Sequence, residues 1–172
     1  MWHLPRVIGT TVLCVCLSVR IVAAGTPARP AGTLNTMAAD FTRTDLSGRP
    51  VHLEQFRGRV VLLNFWATWC GPCITEIPVF SRWQRQYGDA GLQVIGVSMD
   101  DDEAAVKRFI AKHDVSYPIL MGDAKLGESY GGVFGLPQSL LIDARGRIVL
   151  RRVGEPNMEA LRSQIEGLIR DR

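Results

Sequence analysis

Hydrophobic and polar positions along the chain follow two rhythms, and the switches between them predict the elements. From Ala38 onward a period of two gives way repeatedly to one near three and a half. Phe41–Leu46 and Val51–Leu53, separated by Ser47-Gly48-Arg49-Pro50, read as a β-hairpin. Val60–Trp66 is an almost unbroken apolar run after Arg57-Gly58, the pattern of a strand covered on both faces. A helix is predicted from Cys70 or Pro72 to Tyr87, stopped at Gly88. Leu92–Ser98 repeats the buried-strand pattern. Asp100 or Asp101 is expected to cap a helix over Glu103–Lys112, whose acidic first turn suits the macrodipole. An irregular stretch follows, with a short helix near Lys125–Tyr130, and leads to Gly135-Leu136-Pro137. Ser139–Ile142 and Ile148–Val153 form a second hairpin around Asp143-Ala144-Arg145-Gly146, and Asn157–Arg170 closes as an amphipathic helix. Strands alternating with helices and ending in a hairpin imply an α/β sandwich with a mixed sheet.

The first 24 residues do not share this pattern. A basic start ends at Arg6, Val7–Val19 is mostly apolar and uncharged, and Val22-Ala23-Ala24 supplies small residues. That three-part layout is a secretory signal, with cleavage expected after Ala24. An uncleaved anchor is the alternative, with Arg20 snorkelling at the far end of Val7–Ala24. Residues 25–37, with Pro27, Pro30 and Gly32, read as a flexible linker, and 38–172 as one folded domain. Cys14 and Cys16 belong to the leader and stand outside the catalytic question. The expected location is extracytoplasmic: the periplasm or the outer face of the cytoplasmic membrane. The only membrane contact would be through the N-terminal segment.

Composition narrows the function by exclusion. The 172 residues are 47% hydrophobic and 22% charged, enough to bury a core without a disulfide framework. The net charge is +3, but setting aside Arg6 and Arg20 leaves 18 basic residues against 17 acidic ones. Such a balance offers no electrostatic case for nucleic acid.

The chemistry is carried by Trp69-Cys70-Gly71-Pro72-Cys73. Cysteines three apart at a helix start share a face and can close a small disulfide ring. Cys70 falls at the helix N-terminus, where unpaired N–H groups and the dipole favour an anion. Thiolates there have pKa values of about 3.5–7.5, against about 8.5 for a free cysteine. Cys70 is therefore expected as the exposed attacking sulfur and Cys73, more covered, as the resolving one. Pro72 suits the first helical turn, where its missing N–H is no loss. A zinc site is disfavoured, because beyond the pair the mature chain has only His52 and His113, neither in ligand spacing. No metal and no cofactor is expected. Glu76, three residues after Cys73 on the same helical face, is placed to take a proton from the pair. Trp66 and Trp69 are candidates to shield the site, Trp66 being equally readable as core. Pro78 should kink the helix.

Asn64-Phe65-Trp66-Ala67-Thr68-Trp69-Cys70-Gly71-Pro72-Cys73 resembles the active-site segment of the thioredoxin superfamily. The hairpin before the first long strand, Glu76, and Leu140-Leu141-Ile142-Asp143 after a proline resemble its exported TlpA/ResA-like branch, over about residues 38–170. The resemblance implies a thioredoxin-like three-layer sandwich with a mixed central sheet and an N-terminal β-hairpin extension. It also implies a cis bond before Pro137, facing the dithiol, with the Leu136 backbone pairing to an extended substrate segment. Where cytosolic thioredoxins bury an aspartate, this chain has Asn64. Two departures touch substrate preference: Gln138-Ser139 follow the proline instead of Thr or Glu, and Gly131-Gly132 precede it.

The function this implies is reduction of disulfides in exported proteins through a Cys70–Cys73 dithiol/disulfide cycle. Apocytochrome c is the first substrate to name, and a membrane thiol–disulfide donor would return the electrons. A disulfide-donating oxidant would use the same residues at a higher potential. A thiol peroxidase fits less well, since Thr68 stands only two residues before Cys70 with no proline ahead of it. A non-catalytic binding module on the same fold would not need Cys70, Cys73, Glu76 and Pro137 together.

Overall fold

The computed structural model describes Met1 and residues 35–172; the leader, Cys14, Cys16 and most of the linker lie outside the described residues. The strands are β1 (Thr36–Met37), β2 (Thr42–Thr44), β3 (Pro50–His52), β4 (Val60–Trp66), β5 (Leu92–Ser98), β6 (Ile119–Met121), β7 (Gln138–Ile142) and β8 (Arg147–Val153). The helices are α1 (Gly71–Tyr87), α2 (Glu103–Ile110), α3 (Ala124–Ser129) and α4 (Met158–Arg170), with a 3-10 turn at Leu53–Phe56. Six strands form one sheet in the order β1-β8-β7-β4-β5-β6. β4 pairs in parallel with β5, and β5 with β6, while β7 runs antiparallel to both β4 and β8. The sheet is therefore mixed, as the alternation of elements requires.

β4 lies at the centre, and all seven of its residues are buried. Its alternation assigns each side chain to a layer. Val60, Leu62 and Trp66 join Ile77 and Phe80 of α1, Val106 of α2, and Leu161 and Ile165 of α4. Val61, Leu63 and Phe65 point the other way, onto Phe41, Val51 and Leu53 of the hairpin region and onto Leu126 and Tyr130. Two successive parallel crossovers of one hand put α1 and α2 on the same face. The outcome is the thioredoxin-like three-layer sandwich, with the β2–β3 hairpin on the second face.

Several expected boundaries shift. The linker gives up Thr36 and Met37, which pair with Ile148 and Arg147 at the sheet edge. The stretch expected to be irregular contains β6, whose Ile119–Met121 pair with Gly96–Ser98. Three apolar residues between Pro118 and Gly122 are too few to display a period, so only their partner strand reveals them. The hairpin shields that edge: Leu46 N donates to Ile119 O at 2.9 Å, and Asp45 bridges Leu120. Neither Asp100 nor Asp101 caps α2. Asp102 does, its side chain accepting from Ala104 N at 2.8 Å. α1 continues through Pro78 as one helix. Among the described residues no helix is long and apolar enough to cross a membrane.

Candidate active site

The dithiol sits where β4 hands the chain to α1. Cys70 is the N-cap of the helix, with extended backbone, and Pro72 occupies the first turn. Cys70 and Cys73 are disulfide-bonded with their Cα atoms 5.3 Å apart. The Cys70 sulfur accepts from Cys73 N at 3.3 Å, so it takes one of the helix's orphan donors. The expected exposure of Cys70 is not found: Cys70 retains 6% of its surface and Cys73 1%, so both are buried in this disulfide form and only their order is as expected. Trp69 beside it is 71% exposed, whereas Trp66 is fully buried and packs on Phe109 at 5.3 Å, as core.

The turn that presents Cys70 is held from a distant part of the chain. Asp100, just past β5, accepts from Thr68 N at 2.9 Å and from Thr68 Oγ1 at 2.5 Å, and Ser98 Oγ donates to it at 2.7 Å. Asp100 is thus a positioning residue that pattern reading mistook for a cap. Its place in an Asp100-Asp101-Asp102 run hid it, and nothing local could have distinguished it.

Glu76 lies one turn beyond Cys73 on the inner face of α1 and is only 2% exposed. Asn64 Nδ2 donates to its Oε2 at 3.5 Å and to Ser139 Oγ at 3.0 Å, while Oε1 has no hydrogen-bond partner among the described residues. Burial, followed by the negative charge of Glu155, pushes the carboxyl up from 4.5 to about 7, and the Asn64 hydrogen bond opposes this. The group can therefore gain and lose a proton near neutrality. Asn64, which stands where cytosolic thioredoxins bury an aspartate and cannot itself titrate, is the partner of a carboxyl that does.

The opposite wall is the segment before β7. The Leu136–Pro137 bond is cis. Leu136 packs against the cluster that contains both cysteines. Gly154 N donates to Pro137 O at 2.8 Å, tying β8 to this turn. Gly131 and Gly132 have φ of 79° and 90°, which explains glycine at both positions. Their carbonyls are occupied: Arg151 donates to Gly131 O at 3.3 Å and to Tyr130 O, and Gln138 Nε2 donates to Gly132 O at 3.0 Å. Gln138, which departs from the resembled pattern, is fully buried and holds the approach loop in place. Phe134 at the loop tip is 79% exposed. No cluster of three or more metal-ligating side chains occurs among the described residues.

A disulfide at a helix N-cap, with a titratable carboxyl behind it and a cis-proline turn on the opposite wall, on this sandwich, defines a thiol–disulfide oxidoreductase of the thioredoxin superfamily. Residues 34–151 match the AhpC/TSA family model, and the chain belongs to that family, as a TlpA/ResA-like member. It is 35% identical over 130 residues to "Thiol-disulfide oxidoreductase ResA" of Bacillus thuringiensis subsp. konkukian, covering 75% of each chain. With the protein of the same name from Geobacillus thermodenitrificans it shares 28% identity over 163 residues, 95% of this chain and 94% of that one. A crystal structure from Chlorobium tepidum, assigned as thiol:disulfide interchange protein DsbE, superposes with a TM-score of 0.74 at 32% identity. That match covers 81% of this chain and 99% of the other.

Proposed function

We propose that the chain is exported and reduces disulfides of extracytoplasmic proteins, with Cys70 as nucleophile, Cys73 as resolving thiol and Glu76 as proton acceptor. The observation that carries this reading is Glu76: a carboxyl buried one turn behind the resolving cysteine and held near 7. In the reduced enzyme the Cys70 thiolate, stabilised at the α1 N-terminus, attacks one sulfur of the substrate disulfide. The other substrate sulfur leaves as a thiolate and is protonated by solvent. Cys73 then gives its proton to the Glu76 carboxylate and attacks the Cys70 sulfur. The second substrate thiolate leaves, and the Cys70–Cys73 disulfide forms. Two electrons pass to the substrate, and Glu76 returns its proton to solvent. Gly71 and Pro72 keep the turn between the sulfurs short. Trp69, Leu136 and Pro137 form the apolar surface against which an extended substrate segment lies, and the Leu136 backbone serves its main chain.

A thiol pair outside the cytosol is oxidised unless reduced continually, so the cycle requires a membrane thiol–disulfide donor. Apocytochrome c, whose cysteines must be reduced before haem attachment, is the proposed substrate. The direction of electron flow is tested by equilibrating the protein with glutathione or dithiothreitol buffers. A potential near or below about −270 mV fits a reductant with a dedicated donor, whereas one near about −120 mV makes it a disulfide donor and overturns the assignment. Mass spectrometry of the mature protein tests the leader: an intact Met1 excludes cleavage after Ala24.

A further inference from the structure

Three polar atoms inside the main core lack a hydrogen-bond partner among the described residues: Trp66 Nε1, Glu76 Oε1 and Tyr117 Oη. Buried polar groups are seldom left so, and three in one core layer call for a common explanation. Trp66, Tyr117 and the residues flanking Glu76 belong to the same cluster, between the sheet and α1. The ladder brings them closer still. Asn64, which holds Glu76, is the direct partner of Gly96 on the neighbouring strand. A side chain at Gly96 would place its Cβ 2.5 Å from Ile119 Cδ1, 3.1 Å from Trp66 Nε1 and 3.2 Å from Tyr117 Cε2. The Ile119 methyl, the indole edge and the phenol ring therefore close over the one position of β5 that carries no side chain, on the strand next to Asn64.

We infer that Trp66 Nε1, Tyr117 Oη and Glu76 Oε1 enclose a small buried hydration site through which the Tyr117 hydroxyl reaches the Glu76 carboxyl, making Tyr117 a positioning residue for proton transfer. The donor inventory suits this assignment. Indole N–H can only donate, a carboxylate oxygen can only accept, and a phenol does both. A water there accepts from Trp66, donates to Glu76 and exchanges a hydrogen bond with Tyr117, completing the two to four partners a buried water needs. Tyr117 also lines the groove between the C-terminal end of α2 and the β2–β3 turn, with Lys107, Ile110 and Ser47. Burial, followed by the negative charge of Glu76, raises the proton affinity of the Tyr117 hydroxyl. The other groups facing Glu76 are Asn64 of β4, with Ser139 behind it, Cys73 of its own helix, and Glu155, whose charge acts on it.

This inference rests on the role of Glu76 proposed above, and one sample tests both. The carboxyl carbons of full-length protein labelled at glutamate are followed by NMR across pH, with Glu76→Gln identifying the Glu76 signal. A wild-type midpoint near 7 is expected. In Tyr117→Phe the carboxylate loses a donor reached through water, so the midpoint should rise by about one pH unit. The pH profile of thiol exchange should move with it, which lost packing alone would not cause. In the wild type, a long-lived water should give a cross-peak to the Trp66 indole proton, a readout that does not depend on the variant folding. An unmoved midpoint in folded Tyr117→Phe, or no water contact at that proton, overturns the hydration site and leaves the Glu76 role standing. A wild-type midpoint at the ordinary value of 4.5 overturns the Glu76 role instead.

Discussion

Replacing Glu76 with glutamine should stabilise the oxidised protein, and only at high pH. The folded state holds the Glu76 proton up to about pH 7, whereas the unfolded chain releases it near 4.5. Below 4.5 both states are protonated and the carboxyl contributes nothing pH-dependent. As pH rises from 4.5 toward 7 the unfolded state alone gains the charge, and folding becomes progressively less favourable. Above 7 the penalty is complete, because the buried side chain must then ionise in place. The difference between the two values corresponds to about 3 kcal/mol, and relaxation of the surrounding dipoles around the ionised carboxyl reduces the usable figure to about 2 kcal/mol. Glutamine keeps the shape and an acceptor for Asn64 but cannot ionise. Urea unfolding of both proteins, with Cys70 and Cys73 oxidised, measured from pH 4.5 to 8.5, checks this. The two stability curves should meet at the acid end and separate by about 2 kcal/mol at the alkaline end, with the variant above. Parallel curves over the whole range would refute the claim that Glu76 is buried and near-neutral. A variant that loses stability with rising pH would do so more strongly.

Three other outcomes follow from the same geometry. Cys73→Ser should accumulate a mixed disulfide between Cys70 and a protein substrate, visible by non-reducing electrophoresis, and Cys70→Ser should not. Asp100→Ala strands the Thr68 N–H and two hydroxyl donors. It should cost about 2–4 kcal/mol in urea unfolding and slow thiol exchange at every pH, because the turn that presents Cys70 loses its anchor. Glu155→Gln removes the negative charge that helps hold Glu76 up, so the NMR midpoint of Glu76 should fall while the fold is kept. An unmoved midpoint would show that burial alone controls that carboxyl.

The long elements were legible because each satisfies its own local rule. β4 and β5 are apolar runs of strand length, α1 and α4 carry helical stripes, and the β7–β8 turn holds Asp143 and Gly146 where such a turn needs them. The placement of Cys70 at a helix N-cap followed from a buried strand, a short turn and Pro72. The burial of Glu76 followed from its three-residue step beyond Cys73. In each case residues near in sequence decide the outcome, and the period of the backbone converts spacing into a shared face.

What escaped the sequence depends on partners far along the chain. β1 and β6 exist because Ile148 and Gly96 offer free ladder positions, and two or three residues carry no period of their own. Asp100 is separated from Thr68 by 32 residues, and Ser139 from Asn64 by 75. Tyr117 becomes relevant to Glu76 only because Gly96 lacks a side chain at the position where the phenol closes on the sheet. The sequence alone therefore determined the class of chemistry and the cysteines that carry it. The electrostatic setting of the proton acceptor came from the packed layers, since a carboxyl's proton affinity depends on which dipoles and charges three-dimensional folding brings around it.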